Sequence, residues 1–254
     1  MERSVIIIGI GEMASVFARG FLRSGRRVIP VTRQMQIQEV AAQYSAPEFV
    51  LVGVAENDLH KVLEQIPAEW RDRLVLLQNE LLPRDWEQYA FSNPTVISVW
   101  FEKKKGQDVK VLIPSPVYGP FAEPIHDSLA TLDIPSNVLA NTSELEHELV
   151  IKNVYILTTN IAGLVVGGNV NTLWSKHQEL AREVANDVID IQEHLTGKTF
   201  NRELLIDGMV KAMNGDPEHG CMGRSAPARL ARAIAIADEA NLGVIKLRDI
   251  AAKQ

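Results

Sequence analysis

The feature that most restricts this chain lies near its start. A β-branched run from Val5 to Ile10 overlaps Gly9-Ile10-Gly11-Glu12-Met13-Ala14, and an amphipathic stretch from Met13 to Ser24 comes directly after it, with Gly25 as its stop. This G-x-G-x-x-A spacing asks for a strand, a tight turn and a helix in immediate succession. Gly9 permits the turn, Gly11 lets backbone approach a diphosphate, and the small Ala14 lets the helix pack against the sheet. The helix N-terminus would offer free amides and a positive dipole end to the phosphates. The competing reading is a tight turn that holds no ligand. Glu12 is an awkward neighbour for a diphosphate unless its side chain turns outward.

The next hundred residues fit a Rossmann domain, a doubly wound parallel sheet. Val28 to Val31, Phe49 to Val54, Leu74 to Leu77 and Val96 to Val99 read as further strands, and Gln36 to Tyr44 and Asp58 to Ile66 as helices between them. Strands alternating with helices imply parallel βαβ units. Val109 to Ile113 and Asn137 to Leu139 are expected to extend the sheet as hairpin-like or edge strands, in a passage rich in proline. Around residue 142 the strand-like runs stop. Four helical patterns succeed them: Glu144 to Val166, opened by a Ser143-x-x-Glu146 capping box, then Thr172 to Leu195, Arg202 to Met213 and Pro227 to Ala240. The expected architecture is therefore α/β, with a dinucleotide-binding domain over residues 1–142 and an all-α domain over 143–254. A site would lie in the cleft between them, at the carboxyl edge of the strands.

Composition narrows the function classes. Hydrophobic residues make up 46% and charged residues 23% of 254 residues, as in soluble globular proteins. The 26 basic against 32 acidic residues, a formal charge of −6, argue against a chain-wide nucleic-acid surface. The apolar run after Arg3 is too short and too interrupted for a signal peptide, and no uninterrupted membrane span is expected. Cys221 is the sole cysteine, with no metal-ligand spacing around it, so a reducing cytoplasmic setting and no metal are expected.

An NAD-specific site usually carries a carboxylate at the tip of the second strand, about 20 residues past the glycines. Here the tip reads Val31-Thr32-Arg33. An arginine suits a 2′-phosphate, which favours NADP(H), with NAD(H) the alternative. The plainer reading of Arg33 is a solvated loop arginine.

Gln78-Asn79 comes after the fourth strand, and Lys152 opens a K-x-x-x-x-x-x-x-N run that ends on Asn160. Together with the glycine motif and the arginine-tipped second strand, these residues resemble the ketopantoate reductase family of the 6-phosphogluconate-dehydrogenase-like superfamily. The resemblance covers most of the chain. It implies a two-domain NADPH-dependent reductase of a 2-keto acid, with Asn79 beside nicotinamide and substrate. Residues 152, 156, 159 and 160 fall on one side of a helix, so Lys152 and Asn160 can face a common cleft. Hydride delivery to a ketone leaves negative charge on oxygen, which an ammonium can stabilise and protonate. Partial burial would tune the Lys152 pKa downward. The alternatives are a lysine snorkelling to solvent and, for Asn160, a helix–helix hydrogen bond.

The sequence departs from the family pattern at several places. Glu80 replaces the glycine of a Q-N-G turn, and a glutamate tolerates positive φ poorly. Ile156 stands at the first asparagine of the family's K-x-x-x-N-x-x-x-N helix. In Gly223-Arg224-Ser225-Ala226-Pro227, the proline takes the place of a catalytic, substrate-binding glutamate. Asn214-Gly215 lies where a substrate-binding serine is expected, and Ala55-Glu56-Asn57 where a lysine is. A prolyl ring cannot serve as a carboxylate.

Arg224 suits a substrate carboxylate. His219, with Asp216 nearby, reads either as an alternative acid or as an exposed loop histidine. Lys103-Lys104-Lys105 reads as a solvated turn. The alanine-rich Leu230 to Ala240 reads as core or as an oligomer interface, which leaves room for a homodimer. Three functions stay open: an NADP(H)-dependent oxidoreductase acting on a small 2-keto or 2-hydroxy acid, a catalytically lapsed dinucleotide sensor or scaffold, and a β-hydroxyacid dehydrogenase.

Overall fold

The computed structural model describes residues 3–254 and divides into two compact units, Met1–Glu148 and Leu149–Gln254. The first unit begins with β1 (Ser4–Ile8), α1 (Glu12–Arg23), β2 (Arg27–Val31), α2 (Ile37–Gln43), β3 (Val50–Val52), α3 (Leu59–Leu63) and β4 (Leu74–Leu76). It continues with α4 (Arg84–Glu87), β5 (Thr95–Ile97), β6 (Phe101–Glu102), β7 (Lys110–Val111), β8 (Ser115–Tyr118), α5 (Ala122–Ala130) and β9 (Ser136–Val138). Seven strands form one sheet in the order β2-β1-β3-β4-β5-β8-β9, parallel except where β8 runs antiparallel to β5. The order turns back between β1 and β3. In a doubly wound sheet that switch point is where ligands enter.

Strands β1, β3 and β4 are short apolar runs buried on both faces, as expected when helices cover each side of the sheet. On one face Val5, Ile7, Leu51, Val75 and Ile97 join Phe17 and Phe21 of α1 and Ile125 and Leu129 of α5. A side chain at Gly20 would come within 2.7 Å of the Ser128 carbonyl, so the missing Cβ lets α1 and α5 meet closely. Helix α1 ends as expected at Gly25: the Arg26 amide reaches the Phe21 carbonyl and the Gly25 amide that of Leu22, the Schellman pairing.

Several expectations need correction. Val109 to Ile113 does not extend the sheet; Lys110–Val111 pairs only with Phe101–Glu102 in a separate hairpin. The proline-rich passage contains a sheet strand, β8, and a helix, α5. Pro116 lacks an N–H but uses its carbonyl, which accepts from the Ser98 amide at 2.9 Å, and Pro124 sits in the first turn of α5, where no amide is needed. The helix expected over Asp58 to Ile66 is shorter: a 3₁₀ turn at Glu56–Asp58 leads into α3, which covers only Leu59–Leu63.

The remaining helices are α6 (Thr142–Val166), α7 (Val170–Lys176), α8 (Gln178–Thr196), α9 (Arg202–Gly215), α10 (Ala226–Glu239) and α11 (Ile245–Ala251). The division between the units falls inside α6. Its cap is not Ser143 with Glu146. Asn141 Oδ1 accepts from the Glu144 amide at 3.0 Å while the Glu144 carboxylate accepts from the Ala140 amide at 2.9 Å, a similar reciprocal box two residues earlier. The expected single helix from Thr172 to Leu195 breaks at His177 into α7 and α8. Helix α8 packs against α7, α9, α10 and α11, burying Val184, Val188 and Ile191. Helix α6 is long and apolar enough to cross a membrane, yet 83% of its most apolar window is buried within the protein, as in a core helix.

Candidate functional site

In the first unit the glycine motif occupies the β1/β3 switch point. Gly9 has φ +85°, and a side chain there would lie 2.7 Å from Val54 Cγ1 and 3.2 Å from the Gly53 backbone. Its amide donates to the Val31 carbonyl at 2.9 Å, and the Gly53 amide donates to that of Ile8 at 2.7 Å, so the ends of β1, β2 and β3 are tied together. Gly11 caps α1 in extended backbone, φ −96° and ψ −176°, and no side chain caps the helix. A Cβ at Gly11 would meet no protein atom within 4 Å. Neither backbone conformation nor packing therefore calls for glycine at 11, whereas a ligand approaching the backbone would. Ala14 is fully buried and faces Gly53, where an added Cβ would lie 2.7 Å away. Gly53, which sequence reasoning does not single out, is the partner that demands a small residue at 14; its signal is Val52-Gly53-Val54 closing a strand. Met13 packs on the core, so its backbone is the part that faces the turn, and the Glu12 side chain is exposed.

Arg33 stands at the tip of β2 with its side chain 91% exposed, and Nη2 lies 3.5 Å from Oδ2 of Asp58 in the turn after β3. At the end of β4, Gln78 is buried. Its Nε2 donates to the carbonyls of Val52 at 2.6 Å and Val54 at 3.3 Å, and its Oε1 accepts from the Leu77 amide. Gln78 is thus the bolt between β3 and β4, and it sets Asn79 at the carboxyl edge of the sheet. Glu80 adopts φ +59°. The turn keeps the backbone form that glycine would favour.

In the second unit Lys152 is buried on α6. One face of α6 binds α8 through Asn153 Nδ2 donating to Gln192 Oε1 at 2.9 Å. Asn160 Oδ1 accepts from Arg229 Nη1 of α10 at 3.1 Å, so a helix–helix bond holds the asparagine. The segment from Asp216 to Met222 runs beside α6. Val170 donates to the His219 carbonyl, Cys221 donates to that of Gly168, and a Cβ on Gly163 would lie 2.8 Å from Cys221 Cβ. His219 Nδ1 is 3.5 Å from Oδ2 of buried Asp216, and its ring centroid is 6.4 Å from that of Tyr155. Sequence reasoning misses Tyr155 and Arg229, although Tyr155 sits at i+3 from Lys152, where side chains meet. Arg224 is exposed ahead of α10, and Pro227 is the exposed second residue of that helix, a position where proline fits.

Neither a protein-family model nor a curated protein matches this sequence. Solved structures do. The chain resembles 2-dehydropantoate 2-reductase from Methylococcus capsulatus with a TM-score of 0.69 at 12% identity, covering 98% of this chain and 94% of that one. It resembles the dimeric ketopantoate reductase of Staphylococcus aureus with a TM-score of 0.65 at 17% identity, covering 98% and 96%. A D-mandelate dehydrogenase solved with NADH gives 0.68 at 13%, again covering 98% and 96%. The fold of this chain, a Rossmann-like sheet unit and a helical unit in that order, is that of the ketopantoate reductases.

Proposed function

We propose that this chain is a divergent member of the ketopantoate reductase family, an NADP(H)-dependent oxidoreductase acting on a small 2-keto or 2-hydroxy acid. The observation that carries the reading is Gly11: a glycine that the protein's own packing and backbone do not require, at the cap of a 12-residue helix on the switch point of the sheet. When bound, the dinucleotide supplies or accepts the hydride. In this reading Gly9, Gly11, Glu12, Met13 and Ala14 form the diphosphate turn, and Arg33 reads the 2′-phosphate. Lys152 gives its proton to the carbonyl oxygen as the alcohol forms and regains one from water. Asn79 and Asn160 orient the reacting groups through their amides, and Arg224 holds the acid group. A homodimer and a reducing cytoplasmic setting belong to the same reading, the latter supported by a single, buried cysteine.

A second reading, a dinucleotide sensor or scaffold without turnover, draws on Pro227. Exposed in the first turn of α10, it leaves no carboxylate where the resemblance expects one.

Purified protein assayed for NADPH oxidation across a panel of 2-keto acids tests both. Turnover is expected, with Lys152→Ala lowering kcat by about 10²–10⁴ while NADPH still binds. Binding without turnover favours the sensor. No binding of NADPH or NADH removes both readings.

A further inference from the structure

Lys103 does not behave as the solvated turn residue its sequence context suggests. Lys104 is 60% exposed, but the Lys103 side chain is 19% exposed and its ammonium is fixed. Nζ donates to the carbonyls of Lys104 at 2.9 Å and Gln107, both in its own loop, and lies 3.5 Å from Oε2 of Glu12. An ammonium has three N–H donors, so two are spent on holding the loop and the third is left for the first residue of α1. The loop itself is anchored. Phe101 of β6 packs on Phe17 of α1 with ring centroids 5.9 Å apart, both buried, and Val109 and Val111 rest on the same core. The β6–β7 hairpin therefore lies along α1 and carries one ordered cation to the helix end that opens on Gly11.

We infer that Lys103 is a binding residue for the diphosphate of the dinucleotide, held by Glu12 until the ligand arrives. This inference rests on the proposed function and explains two features which that reading leaves over: an acidic residue at an anion-binding helix start, and the lysine run. The Glu12 side chain is 46% exposed, so it can turn to solvent when a diphosphate takes its place on the third N–H. The two carbonyls keep Nζ in position, so little side-chain freedom remains to be lost on binding.

Titration with NADPH and with ADP, the latter a probe that carries the diphosphate without nicotinamide, tests this on the full chain. Lys103→Ala is expected to weaken both about tenfold, the range of a charge-assisted hydrogen bond, and to flatten the fall of affinity with added salt. Lys103→Arg should restore much of the loss. Glu12→Gln should tighten both ligands a few-fold by removing the competing anion. Equal affinities for wild type, Lys103→Ala and Glu12→Gln overturn the inference. So does a Lys103→Ala loss with an unchanged salt slope, which marks a structural role for the hairpin. Wild-type protein that binds neither ligand overturns the oxidoreductase reading itself.

Discussion

Arg229 of α10 donates from Nη1 to Oδ1 of Asn160 on α6 at 3.1 Å, with the arginine buried. A guanidinium only donates, so this bond fixes which end of the amide faces α10: the oxygen. Asn160 consequently presents its nitrogen, a donor, to whatever lies beyond. That polarity suits a carboxylate or an oxygen gaining negative charge.

Replacing Arg229 should therefore act through Asn160. Arg229→Met is expected to cost about 1.5–3 kcal/mol of stability, the range of a hydrogen bond to a charged group. In an active enzyme it should also raise KM for the acid substrate more than it lowers kcat. Arg229→Lys should recover part of the stability and little of the KM. Urea unfolding and steady-state kinetics measure the two effects, and unchanged KM would separate Asn160 from substrate.

Glu80 carries the backbone conformation that glycine adopts without cost. A left-handed non-glycine residue costs roughly 1–2 kcal/mol, partly offset because glycine gives the unfolded chain more freedom. Glu80→Gly is thus expected to stabilise the protein by about 0.5–1 kcal/mol, whereas Glu80→Ala should show no such gain. Destabilisation by Glu80→Gly would mean that the carboxylate's own interactions outweigh the strain.

The legible parts of the fold obey local rules. Strands β1 to β5 announce themselves because each is a short, mostly apolar run between polar turns, and the glycine motif dictates the turn and helix after the first. Strand β8 and helix α5 are hidden by prolines whose cost vanishes in context: Pro116 uses only its carbonyl, and Pro124 falls in a first turn. The break at His177 has no glycine or proline to mark it, and the α6 cap lies earlier than expected because Asn141 and Glu144 form the box that Ser143 and Glu146 spell in sequence. Candidate site positions are legible where a motif carries them, as at Gly9 and Asn79. They are not where long-range packing supplies the partner. Gly53 beneath Ala14, Arg229 on Asn160 and Lys103 at Glu12 are separated by dozens of residues, and no local spacing encodes such pairs.

Cys221 is fully buried, and burial pushes its thiol up to about 11. A free cysteine ionises near about 8.5, so between these values the folded protein keeps a proton that the unfolded chain loses. The stability this contributes is whole below the unfolded value and disappears as pH rises through the folded one. The native thiol should accordingly resist Ellman's reagent near neutral pH and react at once on unfolding. Cys221→Ala should lessen the loss of stability between about pH 9 and 11, as seen by thermal melts across that range.

Arg33 and Asp58 form the pair on which the proposed preference for NADP(H) turns. Their side chains are 91% and 41% exposed at a separation of 3.5 Å, and an exposed ion pair of this kind is worth at most about 1 kcal/mol. Asp58 therefore does not lock the guanidinium. A 2′-phosphate, which accepts two parallel N–H bonds and carries more charge than a carboxylate, should displace it readily. On this argument Arg33→Ala weakens NADPH by about tenfold or more and leaves NADH within about twofold, while Asp58→Asn tightens NADPH only slightly. Fluorescence titration of both reduced dinucleotides on the three proteins measures the ratio directly. An equal loss of NADPH and NADH in Arg33→Ala would show that the arginine braces the tip of β2 and does not read the phosphate; the proposed preference for NADP(H) would then lose the residue that carries it.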